Sequence, residues 1–265
     1  MNLVLIKKIY IGIPMAALIC YLFLLFCFLN VAEKSSEVRD LKAILSALLS
    51  WTGGAVLMRL QISPGIQFWY HVSLMGLFTI PILIYGFLFH YLDIRGKDRF
   101  LDGCMAVTVS VVLLNVFTGC ILPPPEVQIM ANGGISYHYH AKTGIWLLAA
   151  AEIILLVYVT LLAHKKIGGQ LEYRKKLGPL LIGTLLIMGG NILCVMPWSG
   201  DFPFDTLGGV GMAVCFVYII YKQYLFSFSM RATTGAIYLI AVVVAFLPMI
   251  ILEPNIDHVI GQTDI

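Results

Sequence analysis

Residues 177–231 read LGPLLIGTLLIMGGNILCVMPWSGDFPFDTLGGVGMAVCFVYIIYKQYLFSFSMR. Two apolar runs face each other across a short loop that carries Trp198, Asp201, Phe202, Phe204 and Asp205. The first run contains Gly183, Gly189, Gly190 and Asn191. The second opens on Gly208, Gly209 and Gly211 and closes on Tyr218, Tyr221 and Lys222. About 20 apolar residues at ~1.5 Å per residue cross the ~30 Å of a bilayer's hydrocarbon. The pattern predicts two helices, over 178–196 and 206–224. Basic residues (Lys175, Lys176, Lys222, Arg231) flank the pair on one side, whereas the connecting loop is acidic and aromatic. Cationic flanks mark the cytoplasmic side of a membrane helix, and aromatic rings with a polar edge mark the interface.

The same grammar extends through the chain. Further helices are expected over 9–31, 41–60, 68–92, 100–121 and 144–163, with a kink in the third at Pro81 because proline lacks an N–H. The longest loop follows Pro123-Pro124-Pro125 and holds Gly133-Gly134. The fold class is therefore all-α: a polytopic membrane bundle of seven transmembrane helices over 1–231, followed by an eighth apolar segment and an acidic tail over 232–265. The eighth run, 236–252, either spans or lies in the interface.

Composition supports this class. The chain of 265 residues is 60% hydrophobic and 12% charged, against about a quarter charged in a soluble domain. Long apolar runs, rather than alternation over about ten residues, exclude a β-barrel. The net charge of +3 is no sign of nucleic-acid binding, because the cations sit at helix ends. The six cysteines lie in or beside apolar runs without a C-x-x-C and read as small fillers.

Lys and Arg set the orientation. Thirteen lie in the loops after helices 1, 3, 5 and 7, and four on the other side. The chain is thus expected in the cell membrane with its N-terminus outside, the end of helix 7 in the cytoplasm and the acidic tail outside.

A few residues stand out as candidates for chemistry. Glu152 falls mid-helix, where a charged group costs about 2.5–3.5 kcal/mol on insertion scales and so belongs in the bundle interior. It reads as a ligand or proton site, or as half of a structural pair with Arg59 or His71. Asn191 is a further intramembrane polar candidate. In the outer loops, His138 and His140 are spaced for a shared metal or a protonation sensor, but no third ligand stands nearby and an inert loop is the plainer reading. Asp201 and Asp205 are loop candidates beside aromatic residues, with Asp205 placed to cap a helix. Phe68-Trp69-Tyr70-His71 reads as an interfacial belt. The paired glycines permit close helix approach. No Walker loop, H-E-x-x-H, G-x-S-x-G or kinase motif occurs, which leans away from an enzyme, and no catalytic residue, metal or cofactor is expected.

The loop Asp201-Phe-Pro203-Phe-Asp205, the small-residue helix after it and the ending Tyr218-Ile-Ile-Tyr221-Lys222-Gln-Tyr-Leu225-Phe226 resemble the N-terminal seven-transmembrane sensor region of bacterial histidine kinases and diguanylate cyclases. The spacing of helices over 9–226 is similar as well. The resemblance implies a sensing or anchoring role, with a cytoplasmic kinase or cyclase domain in the same chain or a separate one, and allows a homodimer. It transfers no ligand residue. An output domain in the same chain would call for a ninth helix after Ile265. The expected function is a membrane-embedded sensory module in which Tyr221 and Lys222 mark the output end. A small-molecule transporter and a non-catalytic subunit of a larger complex are the alternatives. Transporter folds often carry internal repeats and paired broken helices, and neither is visible here.

Overall fold

The computed structural model describes residues 3–29, 36–92, 99–119, 121–129, 135–139, 142–167, 171–196 and 204–222. These form α1 (Leu3–Leu29), α2 (Ser36–Arg59), α3 (Ile66–Tyr91), α4 (Arg99–Thr118), β1 (Glu126–Ile129), β2 (Ile135–His138), α5 (Thr143–Ile167), α6 (Leu171–Val195) and α7 (Phe204–Lys222). Among the described residues, five helical segments are long and apolar enough to cross a membrane: Gly12–Leu29, Ser36–Arg59, Ile66–Tyr91, Thr143–Leu162 and Leu177–Cys194. Asp102–Thr118 and Phe204–Ile219 are shorter apolar stretches. The eighth apolar run lies outside the described residues.

Several helices outrun their apolar cores. Ser36–Asp40 is the first turn of α2 rather than loop, α5 continues to Ile167, and α6 begins at Leu171 among charged residues. Charged flanks beyond the hydrocarbon keep helical hydrogen bonding, and hydropathy detects only the apolar portion. At α4 the deviation is opposite. The helix stops at Thr118, and Gly119 adopts φ +55°. That left-handed conformation suits glycine because it has no Cβ.

The long loop contains a two-stranded antiparallel hairpin, with Glu126 opposite His138 and Ile129 opposite Ile135. Strands of four residues carry too little alternation to stand out from loop in the sequence.

Packing is tightest between α2 and α3 and between α6 and α7; α1 bridges the two pairs by touching both α2 and α7, while α4 and α5 lie against α3. Glycine makes the α2–α3 approach. A Cβ on Gly76 would come within 2.5 Å of the Ala47 carbonyl and the Trp51 nitrogen, and one on Gly54 within 2.7 Å of the Ser73 nitrogen. Gly190 and Gly208 bring the α6 and α7 backbones together in the same way, whereas Gly189 faces open space. A main core gathers Tyr21, Leu45, Trp51, Phe87, Met212 and Phe216. The Tyr21 hydroxyl donates to the Gly209 carbonyl, which fastens α1 to α7. Large apolar side chains such as Phe26, Phe117, Ile154 and Leu161 point away from the bundle. Helices apolar on both faces are those of a membrane protein.

Candidate functional site

Two polar regions stand near the hairpin end of the bundle. The first is structural. Asn115, buried in α4, accepts from the Ile121 and Leu122 N–H groups at 2.9 and 3.0 Å and donates to the Leu122 carbonyl at 2.9 Å. Its side chain thus stands in for backbone partners where α4 ends. The Tyr70 hydroxyl donates to the same carbonyl at 3.2 Å, and the Tyr137 hydroxyl donates to Met58 O at 3.0 Å. These bonds seat the hairpin on α2, α3 and α4 over a second apolar cluster that includes Met58, Leu74, Phe78 and Val112. Burial pushes the Tyr137 phenol above its ordinary value, with Arg59 and Gln61 opposing, so the hydroxyl stays protonated and able to donate.

The second region is an open cavity of about 80 Å³ among α3, α5 and α6. Leu77, Phe78 and Pro81 come from α3, Trp146, Ala149 and Glu152 from α5, and Thr184, Met188 and Asn191 from α6. Leu122 closes it toward the hairpin layer. Glu152 Oε1 is buried with no hydrogen-bond partner. Thr184 donates to Leu180 O and Asn191 Nδ2 donates to Ile187 O, each at 2.9 Å within its own helix. Pro81 sits inside α3 and has no N–H for the carbonyl one turn back, that of Leu77.

The structure sorts the candidate residues. Glu152 and Asn191 share the cavity. Arg59 and His71 do not line it: Arg59 Nη1 reaches Ala55 O at 3.4 Å on its own helix, and His71 Nε2 is buried without a hydrogen bond beside the Tyr70 ring. Glu152 forms an ion pair with neither. Asp205 does not cap α7, because the helix starts one residue earlier, at Phe204. It lies in the first turn, where a carboxylate suits the helix dipole. Its N–H donates to Cys194 Sγ at 3.2 Å, so Cys194 is more than an apolar filler. Tyr70 is buried and hydrogen-bonded rather than interfacial, while Trp69 donates to Ile62 O at 2.9 Å. His138 lies on β2. His140 and Asp201 lie outside the described residues, as do the side chains of Tyr221 and Lys222 at the end of α7.

Asn115, Trp146 and Thr184 escaped sequence reading. Threonine and tryptophan are ordinary in membrane helices, and the signal for Asn115 was its place four residues before Gly119. At the opposite end of the bundle, His90 Nδ1 contacts Asp40 Oδ2, which joins α3 to the early turn of α2. That pair could not be foreseen while Asp40 was taken for loop.

Comparison with curated proteins and with solved structures finds no match. The family described as the N-terminal 7TM region of histidine kinase matches residues 13–229, from within α1 to past the end of α7. With that match over most of its length, the chain belongs to the family of N-terminal 7TM regions of histidine kinases.

Proposed function

We propose that the chain is a membrane-embedded sensory module that crosses the bacterial cell membrane seven times. Its N-terminus lies outside, and it passes a signal through the inner end of α7, near Tyr221 and Lys222, to a cytoplasmic kinase or cyclase output. Family membership supports a role upstream of a histidine kinase. The observation that carries the sensory reading is the cavity holding the unpartnered Glu152 carboxyl oxygen. A buried polar group without a partner costs about 1–3 kcal/mol, so a fold that keeps one in a pocket keeps it for something that binds there. Occupancy would bias two packings of the helices, by no more than the occupant's difference in affinity for them.

The test is the phosphorylation level of the kinase output in membranes. Glu152→Gln should shift it by about tenfold, equivalent to about 1.4 kcal/mol of lost differential stabilisation, with expression unchanged. An unaltered level at normal expression removes Glu152 from the signalling path.

A further inference from the structure

The geometry points to a lipophilic amine as the occupant of this cavity: an apolar body with a single ammonium head, taken up from the bilayer beside α5. The inference rests on the sensory reading of the same pocket and adds the chemistry of what fills it.

The argument is one of donors and acceptors. Thr184 donates its hydroxyl proton to the Leu180 carbonyl, and Asn191 donates one of its two N–H groups to that of Ile187, both within α6. Thr184 leaves only oxygen toward any other partner, and Asn191 keeps its carbonyl oxygen beside one N–H. Glu152 Oε1 has no donor to accept from. The other side-chain donors on the described lining are the second N–H of Asn191 and the indole N–H of Trp146, near the start of α5, a residue 46% exposed. Among the described residues, the polar side chains of the lining therefore offer more acceptors than donors within an apolar wall, and no Lys or Arg stands among them. A primary ammonium offers three donors and no acceptor, the complement of that set. An ammonium and a carboxylate brought together in a low-dielectric site offset each other's cost of burial, which neither could bear alone.

The route follows from α5. Glu152 is about 14 Å along α5 from Thr143 at ~1.5 Å per residue, well inside the apolar stretch. No described side chain in the apolar window of α5 is buried, and Ile153, Ile154 and Val157 beside Glu152 are exposed. The helix that carries the carboxyl is thus the least enclosed wall of the pocket, and its outer face is miscible with lipid.

The test uses the full chain in phosphatidylcholine nanodiscs and three nine-carbon probes: nonylamine, 1-nonanol and nonanoate. Stabilisation against thermal unfolding reports binding to the folded state. Nonylamine should act at concentrations roughly tenfold below those of nonanol, and nonanoate should not stabilise. Glu152→Gln should erase the preference for amine over alcohol. Ala149→Trp, one turn from Glu152 on the same lining, should fill the cavity and abolish stabilisation by the amine with the carboxyl in place. Equal action of amine and alcohol on the native chain, a preference for nonanoate, or an amine effect that survives Ala149→Trp overturns the proposal. Should Glu152→Gln not fold, the head-group series and Ala149→Trp decide alone. If the amine does not bind while Glu152→Gln still alters kinase phosphorylation, the ligand class fails and the sensory reading stands; binding of the amine with phosphorylation indifferent to Glu152→Gln gives the reverse.

Discussion

At the scale of residues, the chain spends its polar groups unevenly. Asn115 satisfies three backbone groups with one side chain, and Glu152 satisfies none with its buried oxygen. Asn115→Ala should therefore cost about 1–3 kcal/mol through the orphaned groups at the end of α4 and appear as a lowered unfolding temperature in nanodiscs. Substituting exposed Thr160, whose hydroxyl folds back to Leu156 O at 2.7 Å, should leave that temperature nearly unchanged. Glu152 was legible in the sequence because a carboxylate within an apolar run has few explanations. Asn191 was legible as a polar residue in an apolar run, and Thr184 was not: it matters through the donor it has already used, which shows only in three dimensions.

At the scale of elements, the apolar runs located the helix centres and misjudged their ends, since the charged turns at Ser36–Asp40 and at the start of α6 carry no hydropathy signal. The glycines were correctly expected to permit close approach, but which of them do so depends on rotation about the helix axis. Gly76 and Gly54 face backbone, whereas a Cβ on Gly53 would meet only the end of Leu18, at 3.5 Å. Gly76→Leu should force α2 and α3 apart at a cost of at least about 1–3 kcal/mol, seen as loss of folded, monodisperse protein, while Gly53→Ala is tolerated. The Tyr70 and Tyr137 bonds that hold the hairpin were hidden for a different reason: each links a side chain to a carbonyl more than fifty residues away.

At the scale of the whole molecule, the arrangement is two close helix pairs joined through α1, with α4 and α5 on the flank. Membership of a seven-helix family was readable from helix spacing and from the loop and helix around α7, while the order of packing was not. Charge balance predicts that the hairpin end faces out and the far ends of α5 and α7 face the cytoplasm. Lys165→Cys, on an exposed position, should react with a membrane-impermeant thiol reagent only in inverted vesicles, and Val127→Cys, on β1, only in intact cells, above the background of the native cysteines. The opposite pattern would reverse the topology.

The hydrogen bond between Tyr21 and Gly209 also bears on how the chain is made. Its ends are 188 residues apart. At a synthesis rate of about 5–20 residues per second, the first helix leaves the ribosome some ~10–40 s before its partner exists. Through that interval the Tyr21 hydroxyl lacks the acceptor that it has in the folded protein, so the contact between α1 and α7 is among the last that the growing chain can make.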